Sequence, residues 1–276
     1  MAHIRMKIYS NCLRRYTHVT VVVPTPTEND FNNPDGTPNL DEYDVNPYFK
    51  TRPVYRVLYL LHGTHGDDTD WCYYTNLERT LIGTDLIVVC PDGNNSFWTD
   101  LNNGPQYEKY LTGELRTYIN NMFPTRTDRA STFLAGLSMG GMATLNIGYR
   151  HPGLYSKIVC LSGGFFTEDV PALMMNRSYP WQYILNPNST IRGTKIDGLG
   201  ALKKDLEEGV EIPELYFTVG TEDDIVGVTA EKSRKVLDEL GVPYVYDVGP
   251  GGHTYEFWSE HIAKAIPWLL ETTEEK

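Results

Sequence analysis

The sequence has no apolar run that approaches the roughly 20 residues a membrane span requires. Its first residues also lack the apolar core, about 7–15 residues long, of a secretory signal. Positive charge is scarce: 24 Lys and Arg stand against 36 Asp and Glu, a net charge of −12. Such a surface repels nucleic acid and anionic lipid. We therefore expect a cytoplasmic protein that acts on a small molecule, with no nucleic-acid or membrane partner. A homo-oligomer is left open.

Cysteine is equally sparse. The four cysteines are scattered and none forms a CxxC pair, so the sequence indicates neither a zinc ribbon nor a redox motif. Cys90 and Cys160 each close an apolar run that is typical of a buried strand, and we expect reduced, mostly buried thiols. No metal ligands and no cofactor are predicted from this pattern.

Short apolar runs alternate with amphipathic stretches along the 276 residues. Nearly continuous apolar runs are typical of parallel strands that are buried on both faces. The predicted strands are Val19–Val23, Val54–Leu61, Leu86–Cys90, Ala130–Ala135, Ile158–Leu161, Leu215–Val219 and Tyr244–Val248. The predicted helices are Tyr107–Met122, Gly140–Arg150, Thr229–Leu240 and Ser259–Leu270. This alternation predicts a single α/β domain over residues 1–276, with a mostly parallel, doubly wound sheet and helices on both faces.

Two segments interrupt the alternation. Residues 24–52 are rich in Pro, Asn and Asp, which do not pack a core, so they predict a surface excursion. Residues 165–209 hold several large apolar side chains, Trp181 among them, and are too apolar for a linker. Because segments inserted at the carboxyl edge of such a sheet often cover the site there, residues 165–209 predict a cap-like insertion.

The motif with the clearest chemistry is GxSxG, from Gly136 to Gly140 with Ser138 at its centre. The five-residue pattern alone is weak, but a predicted buried strand runs into it and a predicted helix runs out. That is the setting of a nucleophile elbow, a tight turn whose flanking positions leave no room for side chains. Ser138 is therefore the candidate nucleophile, and the N–H of Met139 at the helix start is a candidate oxyanion donor. Ser162, which lacks the preceding glycine, is expected to be a strand-end residue near the site.

A serine nucleophile needs a histidine base and an acid that orients it, which in α/β-hydrolases follow the serine in the order acid, then histidine. His253 follows the last predicted strand and is the candidate base, whereas His261 is expected at a solvated helix surface. The preceding strand ends in three carboxylates. Of these we choose Asp223 as the orienting acid, with Asp224 second and Glu222 third.

With these residues placed, the chain resembles the Putative esterase family. This family includes esterase D (S-formylglutathione hydrolase), carbohydrate esterase family 1 feruloyl and acetylxylan esterases, and bacterial tributyrin esterases, to which the chain looks most similar. The likeness covers nearly the whole sequence. The stretches that carry it besides GxSxG are Thr20–Pro24, Leu58–Gly63, Trp71 with Thr75–Arg79, Pro91–Gly93, Ser96–Asp100 and His253–Trp268. Residues 24–52 are longer than in the family, and residues 165–209 correspond to its variable part.

The resemblance implies an α/β-hydrolase fold and Ser138, Asp223 and His253 as the catalytic residues. It also implies that the His62-Gly63 turn, which follows a buried strand, supplies a second oxyanion donor. We assign this role to the Thr64 N–H, with Gly63 as the alternative, and expect His62 itself to be structural. Candidate substrate-binding residues are Trp98, Trp181, Tyr255 and Trp258.

The function expected is a cofactor-independent serine carboxylesterase for short-chain acyl or hydroxycinnamoyl (feruloyl-type) esters, some of them sugar-linked. Three alternatives remain at this point: an S-formylglutathione-type thioester hydrolase, an acyltransferase, and an inactive protein that binds esters or carbohydrates.

Overall fold

The computed structural model describes residues 1–26, 32, 33, 35, 37, 53–167, 184 and 190–271. Eight strands within these residues form one sheet. Their bounds are β1 Ala2–Ser10, β2 Arg15–Val23, β3 Arg56–Leu61, β4 Leu86–Pro91, β5 Thr132–Leu137, β6 Lys157–Leu161, β7 Glu214–Gly220 and β8 Tyr244–Gly249. The spatial order is β1-β2-β4-β3-β5-β6-β7-β8.

Strands β3 to β8 run parallel to one another, whereas β1 and β2 are antiparallel to their neighbours at one edge. The order doubles back around β3 and β4 and then proceeds outward to β8. This mostly parallel α/β-hydrolase sheet confirms the predicted fold class, because each of the seven predicted runs overlaps a strand of the sheet.

Helices and helical turns connect the strands. Their bounds are α1 Asp70–Tyr74, α2 Leu77–Thr80, α3 Tyr107–Lys109, a π-helical turn Tyr110–Glu114, α4 Leu115–Met122, a 3₁₀ turn Arg129–Ser131, α5 Met139–Arg150, α6 Gly198–Glu208, α7 Gly227–Glu239 and α8 Tyr255–Leu270. The predicted helix Tyr107–Met122 therefore exists as two α-helical pieces around a π turn.

The two faces of the sheet carry separate cores. On one face, alternate strand residues such as Tyr59 and Leu134 pack under α4, α5, α6 and α7. On the other face, Leu58, Leu60 and their neighbours pack under α1, α2 and α8. Each central strand is buried on both sides, which explains why these strands are apolar almost throughout.

Four elements were missed in the sequence, namely β1, the short helices α1 and α2, and α6. Strand β1 was not predicted because most of its side chains are exposed or half-buried, and Arg5 and Lys7 interrupt its apolar residues. Helix α6 lies inside the segment that was interpreted as a cap-like insertion; it begins where Asp197 accepts a hydrogen bond from the Gly200 N–H at 2.7 Å. Much of the predicted excursion at 24–52 and of the insertion at 165–209 lies outside the described residues.

Candidate active site

Ser138 occupies the sharp turn between β5 and α5. Its φ of 53° and ψ of −115° lie in a region that side-chain-bearing residues rarely adopt. The turn is fixed by a 2.9 Å hydrogen bond from the Ser138 N–H to the Leu161 carbonyl. Such strain at a serine is expected where the surrounding structure holds the hydroxyl in one orientation.

The two glycines of the motif are required by close backbone contacts. A Cβ on Gly136 would lie 2.5 Å from the carbonyl of Gly140, and a Cβ on Gly140 would lie 2.6 Å from the Leu61 carbonyl oxygen. Real Cβ atoms essentially never approach this closely. Helix α5 can therefore pack tightly on the sheet, and its first turn lies directly behind Ser138.

His253 joins two of the candidate residues. Its Nε2 lies 2.8 Å from the Ser138 Oγ, and its Nδ1 lies 2.8 Å from the Asp223 Oδ2. Ser138 follows β5, Asp223 follows β7, and His253 follows β8, so the parallel strands bring the three to one edge of the sheet. These three side chains form what we call the hydrogen-bonded chain.

Asp223 is held rigidly. Its Oδ1 accepts hydrogen bonds from the Ile225 and Val226 N–H groups at 3.1 and 3.0 Å, and its side chain has 0% exposure. Burial raises the pKa of this carboxyl, but the hydrogen bonds from His253 and from the Val226 N–H outweigh it and hold the pKa below its ordinary value. The carboxylate therefore stays charged at neutral pH beside the imidazole.

The neighbouring carboxylates point elsewhere. Glu222 and Asp224 are exposed. The Glu222 carboxylate accepts hydrogen bonds from the Gly251 N–H and the Thr221 hydroxyl. Of the three carboxylates considered, the structure thus brings Asp223 to His253.

A second layer of contacts supports the hydrogen-bonded chain. The Ser162 hydroxyl interacts with the Asp223 carboxylate, and it accepts a hydrogen bond from the Trp258 indole N–H at 3.0 Å. The ring of Trp258 meets the ring of His253 edge-on, with centroids 4.9 Å apart. Ser162 has a φ of 45°, a second strained serine beside the first. The sequence placed Ser162 near the site but did not indicate its interactions with Asp223 and Trp258.

The turn after β3 lies against Ser138. A Cβ on Gly63 would lie 3.3 Å from the Ser138 Cβ, so the Gly63–Thr64 backbone passes beside Ser138. On the other side, Met139 is the first residue of α5, where N–H groups have no partner within the helix. The candidate oxyanion donors are thus N–H groups from two segments that flank the serine.

His62 bridges two loops. Its Nε2 accepts a hydrogen bond from the Gly93 N–H at 2.8 Å, so the ring proton is on Nδ1, which lies 2.6 Å from the Gly63 carbonyl oxygen. Burial lowers the pKa of His62, and the neutral ring fits both bonds. His62 thus has a structural role: it ties the Gly63 turn to the loop after β4.

Two of the predicted substrate-binding residues, Trp98 and Trp258, are buried. Trp98 has no exposed surface, because its indole fills the space above Gly93, where a Cβ would lie 2.4 Å from the ring. Trp258 is 5% exposed and supports His253 and Ser162 instead of forming a wall. Trp181 lies outside the described residues.

Tyr255 is the remaining candidate, and it is partly exposed. Its hydroxyl donates to the buried Asp70 at 2.5 Å. Its ring lies between those of Trp258 and Tyr74, with centroids 5.0 and 4.8 Å away. These rings form a row that leads from His253 to the surface.

The prediction for His261 is wrong. It lies on α8 as expected, but on the buried side, with 2% exposure. Its Nδ1 lies 2.6 Å from Asp247 and 3.0 Å from the Thr218 hydroxyl. The periodicity of α8 shows an apolar face, and His261 falls on it between Trp258 and Ala265, a signal that was available in the sequence.

Within the described ranges, no helix has the length and apolar character needed to cross a bilayer.

Comparison with known proteins agrees with this geometry. The family model described as "Putative esterase" matches residues 42–269. The acetyl esterase of Caldicellulosiruptor saccharolyticus is 25% identical over 281 residues, which cover 99% of this chain and 100% of that protein.

Two solved structures from Staphylococcus aureus are similar over nearly their whole length. The fluorophosphonate-binding serine hydrolase FphF has a TM-score of 0.84 at 28% identity, covering 98% of this chain and 99% of that one. The S-formylglutathione hydrolase FrmB has a TM-score of 0.79 at 27% identity, with coverage of 98% and 99%. The match of the family model spans most of the sequence, and the chain therefore belongs to the Putative esterase family and is a hydrolase of carboxylic esters.

Proposed function

We propose that the chain hydrolyses short-chain acyl esters, and hydroxycinnamoyl esters as a second class, through an acyl-enzyme on Ser138. The observation that carries the proposal is the unbroken hydrogen-bonded chain from Ser138 through His253 to Asp223, with 2.8 Å at each step. The acetyl esterase relative supports the short-chain acyl group.

In the first half-reaction, the Ser138 Oγ attacks the ester carbonyl while His253 Nε2 takes its proton. Asp223 holds the imidazole so that Nε2 faces the serine, and it stabilises the imidazolium that forms. His253 then gives the proton to the leaving alcohol as the C–O bond breaks. In the second half-reaction, water repeats the same steps on the acyl-serine and releases the acid.

The oxyanion of each tetrahedral intermediate needs hydrogen-bond donors that are already in position. The N–H of Met139 and the N–H of Thr64, with Gly63 as the alternative, flank Ser138 and suit this role. Each donor contributes about 3–4 kcal/mol to the stabilisation of the transition state.

The ring row that begins at His253 supports substrates with a planar or sugar group. Tyr74 is 61% exposed and contacts the half-buried Tyr255. A feruloyl ring or a sugar face could pack on these two side chains. Tyr255→Ala and Tyr74→Ala should then raise KM for methyl ferulate more than for p-nitrophenyl acetate.

The test compares wild type and Ser138→Ala on p-nitrophenyl acetate, p-nitrophenyl butyrate and methyl ferulate. We expect wild type to hydrolyse the acetate and Ser138→Ala to lose that activity almost entirely. Full activity in Ser138→Ala would contradict the mechanism. The relative kcat/KM values on butyrate and ferulate report the preferred acyl group.

A thioester activity is the second candidate, because FrmB, which is described as an S-formylglutathione hydrolase, is similar over nearly the whole chain. The same hydrogen-bonded chain can attack a thioester carbonyl. If kcat/KM for S-formylglutathione greatly exceeds that for p-nitrophenyl acetate, the thioester is the preferred substrate class.

A further inference from the structure

Three side chains of different chemistry meet where β1 passes beside α1 and α2. They are His3, Cys72 and Glu78, and one potential ligand atom from each lies within 4.8 Å of the others. His3 Nδ1 lies 3.0 Å from Glu78 Oε1. None of the three belongs to the hydrogen-bonded chain or to the oxyanion donors.

The strand register explains why these side chains share a face. His3 on β1 lies opposite Val22 on β2, and Val22 lies opposite Val88 on β4. Directly opposed residues of antiparallel strands point to the same side of a sheet. Val22 and Val88 pack under α1 and α2, so His3 faces the same two helices, which carry Cys72 and Glu78.

The start of α1 is held in place by Asp68. The Asp68 carboxylate accepts two hydrogen bonds from Arg5, both at 2.9 Å, and one from the Thr20 hydroxyl at 2.8 Å. Its side chain is 1% exposed. Because Arg5 is on β1 and Thr20 on β2, this network ties α1 to the strand that carries His3.

Cys72 also has a neighbour behind it. Its thiol interacts with the thiol of Cys90, which is fully buried near the end of β4. The Cys72 sulfur therefore has the buried Cys90 thiol on one side and the exposed His3 and half-buried Glu78 on the other.

We propose that His3, Cys72 and Glu78 bind one Zn²⁺ ion, with a water molecule as the fourth ligand. Zinc accepts imidazole nitrogen, thiolate sulfur and carboxylate oxygen, at distances of about 2.0–2.3 Å. Tetrahedral coordination then places the ligand atoms about 3.3–3.6 Å apart, which small side-chain rotations reach from the observed spacing. Calcium and magnesium prefer oxygen ligands and do not suit this set.

Charge and protons balance in the binding step. The Cys72 S–H bond breaks, its proton goes to the solvent, and the sulfur lone pair binds the metal. The thiolate and the Glu78 carboxylate then neutralise the two positive charges of the ion. The site is separate from ester hydrolysis, although α1 also carries Trp71, whose indole N–H donates to the Leu61 carbonyl at 3.1 Å, close to the His62-Gly63 turn.

The experiment uses the full chain without an affinity tag, titrated with Zn²⁺ against a chromophoric chelator, and with Co²⁺ as a spectroscopic probe. We expect one Zn²⁺ per chain, and a thiolate-to-cobalt absorption band in the near ultraviolet. Cys72→Ser should abolish the band. His3→Gln, Cys72→Ser and Glu78→Gln should each weaken zinc binding by roughly 100-fold or more, since even outer partners of metal ligands contribute 10–100-fold.

Cys12→Ser and His18→Gln are the matched controls, because each removes the same kind of side chain outside the cluster. Both should bind zinc like wild type, and activity on p-nitrophenyl acetate checks that every variant is folded. Zinc affinity that is equal in wild type and Cys72→Ser, or the absence of the cobalt band in wild type, would overturn the proposal.

Discussion

The indole N–H of Trp258 donates a 3.0 Å hydrogen bond to the Oγ of Ser162, whose hydroxyl interacts with the carboxylate of Asp223. The proposed orienting acid is therefore itself oriented by a serine on the neighbouring strand and a tryptophan on α8. The same indole ring touches the imidazole of His253. Asp223 and His253 thus share one supporting side chain.

Trp258→Phe keeps a ring in this position and removes the N–H. We expect kcat to fall roughly tenfold, the equivalent of about 1.4 kcal/mol for a lost buried hydrogen bond, with KM little changed. Steady-state kinetics on p-nitrophenyl acetate check this. Trp268→Phe is the control, because Trp268 lies on the same helix but packs on Tyr216. An equal fall in kcat in both variants would show that the effect comes from altered packing of α8 and not from the lost hydrogen bond.

Replacement by Asn should distinguish the role of Asp223 from that of Asp224. Asp223→Asn cannot stabilise the imidazolium, and we expect kcat to fall by about 10⁴, as for such an acid in other serine hydrolases. Asp224→Asn changes an exposed side chain and should stay within about twofold of wild type, since surface substitutions have small effects. If Asp224→Asn loses more activity than Asp223→Asn, Asp223 is not the orienting acid.

His62 predicts how stability depends on pH. Its pKa in the folded state is lowered by burial, so acid protonates the unfolded chain first. The stability from this group is complete above the ordinary histidine pKa of about 6.5 and is lost as the pH falls from there towards the lower folded pKa.

His62→Gln should be less stable than wild type at pH 8 by about 1–3 kcal/mol, because the single terminal amide of Gln cannot reproduce both ring bonds, to the Gly93 N–H and to the Gly63 carbonyl. Its stability should also decline less steeply between pH 6.5 and acid. Urea unfolding at several pH values checks both, with the exposed His65→Gln as control. A decline as steep as that of wild type would contradict the role of His62.

Glycine substitution tests the turn at Ser138. Gly140→Ala puts a methyl group against the Leu61 and His62 carbonyls, and we expect a loss of about 3 kcal/mol or more in the free energy of unfolding. Gly113→Ala, on the π-helical turn, meets no atom within 4 Å. It should leave stability unchanged or raise it by up to about 1 kcal/mol. If Gly140→Ala unfolds at the same urea concentration as wild type, the close contact is not required.

Much of this architecture was predictable because the central strands are buried on both faces, and their sequences are therefore nearly continuous runs of apolar residues. The elbow and the order of Ser138, Asp223 and His253 follow from the same pattern. Strand β1 was missed because an antiparallel edge strand needs few apolar residues, and its pairing partner β2 is what defines it.

The wall residues were harder to predict, because an aromatic side chain that fills a core and one that lines a site look alike in a sequence. Trp98 packs above Gly93 and Trp258 packs against His253, both for reasons that depend on contacts between distant segments. His3, Cys72 and Glu78 illustrate the same limit: sequence spacing gave no metal motif, and the strand register brings them together.

Strand β8 is the outermost strand of the sheet on its side and pairs with β7 alone among the described strands. Its side chains are mostly exposed or half-buried, whereas those of β5 and β7 are almost all buried. His253 follows this weakly anchored strand, and Ser138 and Asp223 follow the firmly anchored ones. Fraying of the edge would therefore disconnect the base while the remaining strands stay paired. On gentle warming, the enzyme should lose its activity at a lower temperature than the one at which it unfolds, and prompt cooling should restore the activity.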